Sequence, residues 1–218
     1  MASFDAVIFD LDGTLADTLE DLADAVNRLL QREGLPTHEY AAYRYLVGRG
    51  MVNLVTEALP ADRRTEGTIG RCLSRLLADY ARHCLDKTRL YDGVADLLSE
   101  LRADGVRLAV HSNKVEALAR RIVHGLTEPG TFAVVKGAQP GVPLKPDPDA
   151  ALAIAERLKV SFDAVAYVGD SAVDMQTATA AGMLPVGVTW GFRPREELVE
   201  GGARAVVDHP RDLLELRR

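Results

Sequence analysis

The chain has 218 residues, of which 47% are apolar and 27% charged, and its formal net charge is −6. This composition is typical of a globular protein with a sizeable core, and it excludes collagen, a disulfide-stapled miniprotein and a disordered acidic tail. The basic residues are scattered rather than clustered, so we expect no nucleic-acid partner, because such partners require a concentrated positive surface.

The chain begins with one predicted strand and continues with a long helical segment. Residues 6–9 form an unbroken apolar run, which is typical of a strand buried on both faces of a sheet. From residue 14 to residue 89, apolar residues recur at spacings of three and four without a persuasive strand pattern, and this predicts helices. Asp17 and Thr18 are residue types that cap helix N-termini, and we interpret Asp17 as a cap rather than as a catalytic group.

The second half of the chain alternates predicted strands with predicted helices. Strands are expected at residues 106–110, 132–135, 164–168, 184–188 and 205–207, and helices at 94–101, 115–123, 150–158 and 172–181. This alternation is typical of crossover units in a parallel sheet. We therefore predict an α/β fold with a Rossmann-like parallel-sheet core, residues 1–14 and 90–218, and an inserted all-helical cap subdomain, residues 15–89.

The cysteines and the N-terminus favour a cytoplasmic protein. Cys72 and Cys84 lie in a stretch of helical spacing, where continuous helix would hold their Cα atoms roughly 18 Å apart, too far for a disulfide. The first residues lack the basic region of a signal peptide, and no apolar run approaches the roughly 18 residues needed to span a bilayer. We expect a reduced, cytoplasmic protein without a membrane partner.

Polar side chains follow the predicted strands at their carboxyl ends, where ligands bind in an open parallel sheet. They are Asp10 and Asp12 after the first strand, Ser112 and Asn113 after residues 106–110, Asp170 and Asp174 after residues 164–168, and Lys145 before a helix. A carboxylate can attack a phosphate only if a hard cation such as Mg²⁺ neutralises their repulsion. The pattern therefore predicts phosphoryl transfer, with Asp170 as a second anionic ligand and Lys145 as a source of positive charge.

Four motifs resemble those of the haloacid dehalogenase superfamily in its phosphatase form. They are residues 10–18, 112–114, 145–148 and 169–174, and they occur in the order found in that superfamily. The resemblance implies that Asp10 is the nucleophile and forms an aspartyl-phosphate. It also implies that Asp12 protonates the leaving oxygen and then acts as the base towards water.

The same resemblance implies roles for the remaining motif residues. Asp10, the backbone carbonyl of Asp12, and Asp170 would bind Mg²⁺, and Asp174 would support that site. Two further residues, Ser112 and Asn113, would hold the transferring phosphate. The positive charge of Lys145 would neutralise the nucleophile and the phosphate.

Further features are similar to the phosphoglycolate phosphatase branch of the superfamily. These are Lys114 after the second motif, residues 181–183 and 188–191, and a glycine-bearing loop that faces the substrate and here contains Gly48 and Arg49. Two interpretations are open for Arg49, a bidentate contact to a substrate carboxylate or an exposed surface arginine. Two are equally open for Lys114, a contribution to the site or a solvated surface lysine.

The predicted function is that of a magnesium-dependent phosphatase acting on a small phosphorylated metabolite, 2-phosphoglycolate or similar, as a monomer or homodimer. A phosphomutase or a pyrophosphatase of the same superfamily is the alternative. A hydrolytic dehalogenase needs neither a leaving-group acid nor a metal, so Asp12 and Asp170 count against it. A non-catalytic phospholigand-binding protein would be free to lose Asp10 or Lys145, and both are present.

Overall fold

The computed structural model describes residues 4–217, in which strands and helices alternate along most of the chain. The strands are β1 (Ala6–Phe9), β2 (Ala16–Asp17), β3 (Arg89–Leu90), β4 (Arg107–Val115), β5 (Val134–Ala138), β6 (Val165–Gly169), β7 (Leu184–Val188) and β8 (Ala205–Val207). The helices are α1 (Leu19–Arg32), α2 (Tyr40–Leu46), α3 (Met51–Ala58), α4 (Glu66–His83), α5 (Val94–Ala103), α6 (Glu116–Leu126), α7 (Asp149–Leu158), α8 (Ala172–Ala180), α9 (Arg195–Glu200) and α10 (Asp212–Arg217).

Six of the strands form one parallel sheet in the order β5-β4-β1-β6-β7-β8. The chain builds outwards from β1 through β4 to β5, and then returns to the other side of β1 with β6. The strand order therefore reverses at β1, and in such sheets the crevice at the reversal is where ligands bind. The predicted α/β class with a parallel sheet is confirmed.

The apolar run of β1 is explained by its two buried faces. Val7 and Phe9 belong to one hydrophobic cluster, whereas Ala6 and Ile8 belong to another. Because successive side chains of a strand point to opposite faces, both faces must be apolar when helices cover both. The resulting unbroken run is the signal by which β1 was predicted.

Two strands of the main sheet differ from the sequence prediction. The structure extends β4 as far as Val115, so Ser112, Asn113 and Lys114 lie within the strand and not after it. Its pairing with β5 shifts register between His111 and Val115. Asn113 and Lys114 have their side-chain partners outside the sheet, which the sequence pattern does not reveal. The strand expected at residues 132–135 is displaced to β5, which begins at Val134.

Helices α1 to α4 occupy the segment that was predicted to be helical. The expectation that this segment holds no strand was wrong, because β2 and β3 pair antiparallel where the chain enters and leaves it. Each has only two residues, too few to produce a period-two pattern.

Cys72 and Cys84 are buried free thiols, as expected. Within residues 4–217, no helix is both long and apolar enough to cross a membrane.

The carboxylate of Asp21 joins α1 to the residues that precede β3. It accepts hydrogen bonds from the backbone N–H of Lys87 at 3.0 and 3.1 Å. It also accepts from the N–H of Thr88 at 2.8 Å and from the Thr88 hydroxyl at 2.7 Å. Asp21 and Thr88 are both buried, so water cannot replace these bonds.

We expect Asp21→Ala to lower the free energy of unfolding by about 3 kcal/mol, because it leaves buried donors without an acceptor. Urea denaturation followed by circular dichroism measures this change. Glu20→Ala is the matched control, since Glu20 is exposed and its carboxylate forms a surface ion pair with Lys87 at 3.3 Å. Equal midpoints for the two variants would contradict the role of Asp21.

Candidate active site

Three carboxylates meet at the carboxyl ends of the two central strands. Asp10 comes directly after β1, Asp170 comes directly after β6, and Asp174 lies in the first turn of α8. Each offers an oxygen that lies within 4.8 Å of the others, and all three side chains are buried. The sequence placed these residues at one edge of the sheet, and the structure brings them together.

The ammonium group of Lys145 lies among these carboxylates. Its Nζ is 2.9 Å from Oδ1 of Asp10 and 2.7 Å from Oδ1 of Asp174, and it donates to the carbonyl of His111 at 3.2 Å. The loop that carries Lys145 is fixed by Asn113, whose Oδ1 accepts from the Lys145 N–H at 2.8 Å. Bonds to both backbone and side-chain atoms therefore hold Lys145 against Asp10, as the sequence predicted for these two residues.

Burial dominates the electrostatics of this cluster. It raises the pKa of Asp10 to about 7, with Lys145 opposing the rise and Asp174 and Asp12 adding to it. Burial likewise raises the pKa of Asp170 well above its usual range, and the charges of Asp174 and Asp10 act in the same direction. Burial alone would lower the pKa of Lys145, but its ion pairs with Asp10 and Asp174 hold that pKa well above its usual value. The single positive charge of Lys145 therefore cannot balance Asp10, Asp170 and Asp174 when all three are ionised.

The carboxylate of Asp12 faces a second set of partners. Its Oδ1 accepts from the Thr18 hydroxyl at 2.6 Å and lies 3.0 Å from Nζ of Lys114. Lys114 also donates to the hydroxyl of Tyr80, a residue of α4, at 3.0 Å. The interpretation of Lys114 as a solvated surface lysine was wrong, because its side chain is only 1% exposed. Residues far apart in sequence enclose Lys114, so no local sequence pattern predicts that it is buried.

Ser112 and Asn113, the two residues predicted to bind phosphate, differ in their hydrogen-bond partners. Ser112 is buried beside the cavity, and its Oγ accepts from the N–H of Lys114 at 3.2 Å, a bond that does not use its hydroxyl hydrogen. The amide of Asn113, in contrast, bonds to backbone on both sides. Its Nδ2 donates to the carbonyls of Gly48 at 3.1 Å and Lys145 at 3.2 Å. The side chain of Asn113 therefore joins two loops of the site.

The glycine-bearing loop lies over the crevice, but its arginine does not enter it. Gly48 and Gly50 line a cavity that also contains Asp10 and Asp12, and both glycines have positive φ angles, which side chains rarely adopt. Arg49 is exposed and is not among the described residues that line the cavity. A contact between Arg49 and a substrate carboxylate therefore stays a prediction.

The loop after β7 contributes contacts that the sequence prediction did not assign. The backbone N–H of Phe192 donates to Oδ2 of Asp170 at 2.7 Å, and Nε1 of Trp190 donates to the carbonyl of Thr14 at 3.0 Å. A Cβ atom on Gly13 or Gly191 would collide with the Asp170 carboxylate. The similarity of residues 188–191 to a known loop was the only sequence signal for this arrangement.

Arg193 in the same loop reaches the helical segment. It donates to the carbonyl of Val47 at 3.0 Å and also to that of Arg44. Its guanidinium lies 5.2 Å from the ring centre of Tyr45. Arg193 was not identified from the sequence, because a loop arginine has no sequence pattern that predicts which backbone carbonyls it contacts.

Asp17 and Asp174 both lie at the start of a helix and close to the site in sequence. Oδ1 of Asp17 accepts from the N–H of Leu19, the first residue of α1, at 3.2 Å, although Thr18 and not Asp17 occupies the N-cap position. Asp174 serves the helix and the site at once. Its Oδ2 accepts from the hydroxyl of Ser171 at 2.6 Å in a capping box, while its Oδ1 faces Lys145.

The three-carboxylate cluster fits a divalent cation. All of its potential ligands are carboxylate oxygens, the donors that Mg²⁺ prefers. Within residues 4–217, the buried Oδ1 of Asp10 has no well-aligned hydrogen bond, although Nζ of Lys145 is near. Burial, and after it the charges of the neighbouring carboxylates, raise the pKa values of Asp10 and Asp170, and a bound cation would favour the ionised forms of both.

Comparisons with known proteins agree with these features. The family model of haloacid dehalogenase-like hydrolases matches residues 7–188. The chain is 39% identical to the phosphoglycolate phosphatase of Rhodospirillum rubrum over 210 residues, which cover 93% of this chain and 86% of that protein. It is 34% identical to the phosphoglycolate phosphatase of Pseudomonas putida, with coverage of 95% and 78%.

A solved structure shows the same fold. A crystal structure from Lactobacillus delbrueckii subsp. bulgaricus superposes with a TM-score of 0.92 at 33% sequence identity, and the match covers 99% of this chain and 98% of that one. The family match spans the Asp10 motif, the Lys145 loop and the Asp170 motif. The chain is an enzyme that belongs to the haloacid dehalogenase-like hydrolase family and, within it, resembles the phosphoglycolate phosphatases.

Proposed function

We propose that the protein is a magnesium-dependent phosphatase that hydrolyses a small phosphomonoester, 2-phosphoglycolate or similar, through an aspartyl-phosphate at Asp10. The observation that carries the proposal is the convergence of Asp10, Asp170 and Asp174 around Lys145 at the reversal point of the sheet. The likeness to curated phosphoglycolate phosphatases supports the substrate class. A cytoplasmic location, and a division into a core of residues 1–14 and 90–218 with a cap of residues 15–89, belong to the same proposal.

In this proposal Asp10 attacks the phosphorus atom and Asp12 protonates the departing oxygen. Thr18 and Lys114 both contact Oδ1 of Asp12, so that the orientation of this carboxylate is set before the substrate enters. Asp12 then removes a proton from the water that hydrolyses the aspartyl-phosphate, which regenerates Asp10 and releases phosphate.

The neighbouring residues stabilise the charge of the transferring phosphate. Lys145 holds positive charge against Asp10, and Ser112 supplies a hydroxyl hydrogen beside the cavity. Asp10, the Asp12 carbonyl and Asp170 would hold Mg²⁺, with Asp174 in support. When bound, the ion would neutralise the repulsion between the nucleophile and the phosphate oxygens.

The test is phosphate release from p-nitrophenyl phosphate and from 2-phosphoglycolate by the purified protein. We expect turnover with Mg²⁺, complete loss with EDTA and recovery when Mg²⁺ is returned. In Asp170→Asn, the Mg²⁺ concentration that gives half-maximal activity should rise by about 10- to 100-fold, because a charged ligand has been lost.

Asp163→Asn is the matched control for this charge change, since Asp163 is exposed and precedes β6, at the end of the strand opposite to Asp170. Its Mg²⁺ dependence should equal that of the unchanged protein. Turnover that persists in EDTA would overturn the metal requirement. Release of halide from a haloacid, without release of phosphate from either ester, would favour the dehalogenase alternative.

A further inference from the structure

The cavity beside Asp10 and Asp12 has an uneven lining. Its volume, mouth included, is about 370 Å³. Leu22, Met51 and Leu54 of the helical segment contribute apolar side chains to its wall. A space of this size accepts only a small leaving group beside the phosphate, and the apolar part of the wall would contact the carbon atoms of that group.

Lys114 brings positive charge to a lining that also contains the carboxylates of Asp10 and Asp12. Among the described residues that line the cavity, it is the sole cation. Its side chain is buried and its Nζ lies 4.6 Å from the ring centre of Tyr80, so the ammonium group is held in place rather than mobile in solvent. A buried lysine is costly unless anions or acceptors surround it, so the partners of this ammonium group indicate what the cavity can bind.

The hydrogen bonds of this ammonium group are incomplete. An ammonium group has three N–H donors. Within residues 4–217, Nζ has two polar partners, Oδ1 of Asp12 at 3.0 Å and the hydroxyl of Tyr80 at 3.0 Å. One donor therefore remains for a group inside the cavity, and an anion is the partner that a buried cation favours most.

We propose that Lys114 binds the carboxylate of the substrate's leaving group, which makes the substrate a small phosphorylated carboxylic acid. The proposal rests on the proposed phosphatase function, because it places the leaving oxygen beside Asp12. In 2-phosphoglycolate the carboxylate carbon is two bonds from that oxygen. Since Nζ lies 3.0 Å from the Asp12 carboxylate, such a carboxylate is within reach of Lys114 when its ester oxygen faces Asp12.

Arg49 is the competing candidate for this contact. Its side chain is exposed, and it is not among the described residues that line the cavity. A carboxylate bound at Arg49 would lie outside the space that Asp12 and Lys114 share. The buried lysine is therefore the better placed of the two cations.

The test compares 2-phosphoglycolate with ethyl phosphate, whose leaving group has the same number of carbons but no carboxylate. Lys114→Met should lower kcat/KM for both esters, because Asp12 loses a neighbour that orients it. For 2-phosphoglycolate the loss should be greater by a further factor of about 10 to 100, as expected for a lost charged hydrogen bond. Arg49→Ala should change both values by one common factor.

Equal losses for both esters in Lys114→Met, or a selective loss in Arg49→Ala, would overturn the assignment. Lys114→Gln keeps a donor and much of the side-chain volume, and it should show the same selective loss if the methionine variant fails to fold. The unchanged protein offers a measurement without any variant. It should be inhibited at least about tenfold more strongly by 3-phosphonopropionate than by propylphosphonate, and equal inhibition would also overturn the proposal.

These outcomes separate the two proposals. No phosphate release from either ester in the presence of Mg²⁺ would contradict the proposed function. Release from both esters with equal kcat/KM in the unchanged protein would leave the phosphatase function standing and contradict the carboxylate site at Lys114.

Discussion

Asp10→Asn should abolish turnover, with kcat lowered by at least about 1,000-fold, while the protein stays folded. The amide cannot form the aspartyl-phosphate on which hydrolysis by this route depends. It is nearly the same size as the carboxyl group, so the core beneath β1 should not change. Phosphate release with Mg²⁺ measures the loss, and circular dichroism checks the fold.

The same variant should not be less stable than the unchanged protein in metal-free buffer at pH 8. Burial raises the pKa of Asp10 from an ordinary 3.8 to about 7. The folded state therefore binds a proton more tightly than the unfolded state, and the stability contributed by this group falls as the pH rises through that interval. Asparagine has no charge to bury, so Asp10→Asn removes this pH-dependent loss.

Asp5→Asn is the matched control at the other end of β1. Asp5 is exposed, so the same change of charge should alter neither activity nor stability appreciably. A residual activity of Asp10→Asn above a few per cent of the unchanged value would show that Asp10 is not the nucleophile.

The sheet could be predicted because burial on both faces requires unbroken apolar runs. β1 and β6 have this pattern, and their ends therefore located Asp10 and Asp170 correctly. The end of β4 could not be located in the same way. Residues 111–114 of this strand are polar, and they stay within the sheet because Asn113 and Lys114 have partners in other parts of the chain.

The environment of Asp12 shows the same limit more sharply. Thr18 is close to Asp12 in sequence, and motif similarity singled out its neighbourhood. Tyr80 lies in α4, within a periodic pattern that only indicates a buried helix face. That its hydroxyl meets Lys114 depends on how the helical segment packs against the sheet, and a periodic pattern contains no information about this. Burial of a lysine is therefore a result of the three-dimensional structure alone.

Lys145→Met should produce the largest loss of stability among the variants considered. Its ammonium group is the direct counter-charge of Asp10 and Asp174, both of which are buried. Removing one partner of a buried ion pair leaves the other charge uncompensated, at a cost of about 3–5 kcal/mol. Urea denaturation of the metal-free protein at pH 8 measures this cost, and phosphate release should be lost as well.

The pH dependence of that cost follows from the same charges. Without Lys145, the factor that holds down the pKa of Asp10 is gone, so this pKa should rise further above its value of about 7. At pH 5 the Asp10 carboxyl of the folded variant is then protonated and needs no counter-charge. At pH 8 the high pH favours its ionisation, and Lys145 no longer compensates the resulting charge. The destabilisation by Lys145→Met should therefore be larger at pH 8 than at pH 5.

Two further variants decide whether the lysine acts through charge. Lys145→Met combined with Asp174→Asn should be less destabilised than Lys145→Met alone, because one of the uncompensated carboxylates is gone. Lys136→Met removes a lysine that lies 4.0 Å from Glu116 near the surface, and it should change stability by less than about 1 kcal/mol. If the double variant were as unstable as the sum of its two single changes, the loss would come from packing around the lysine stem and not from its charge.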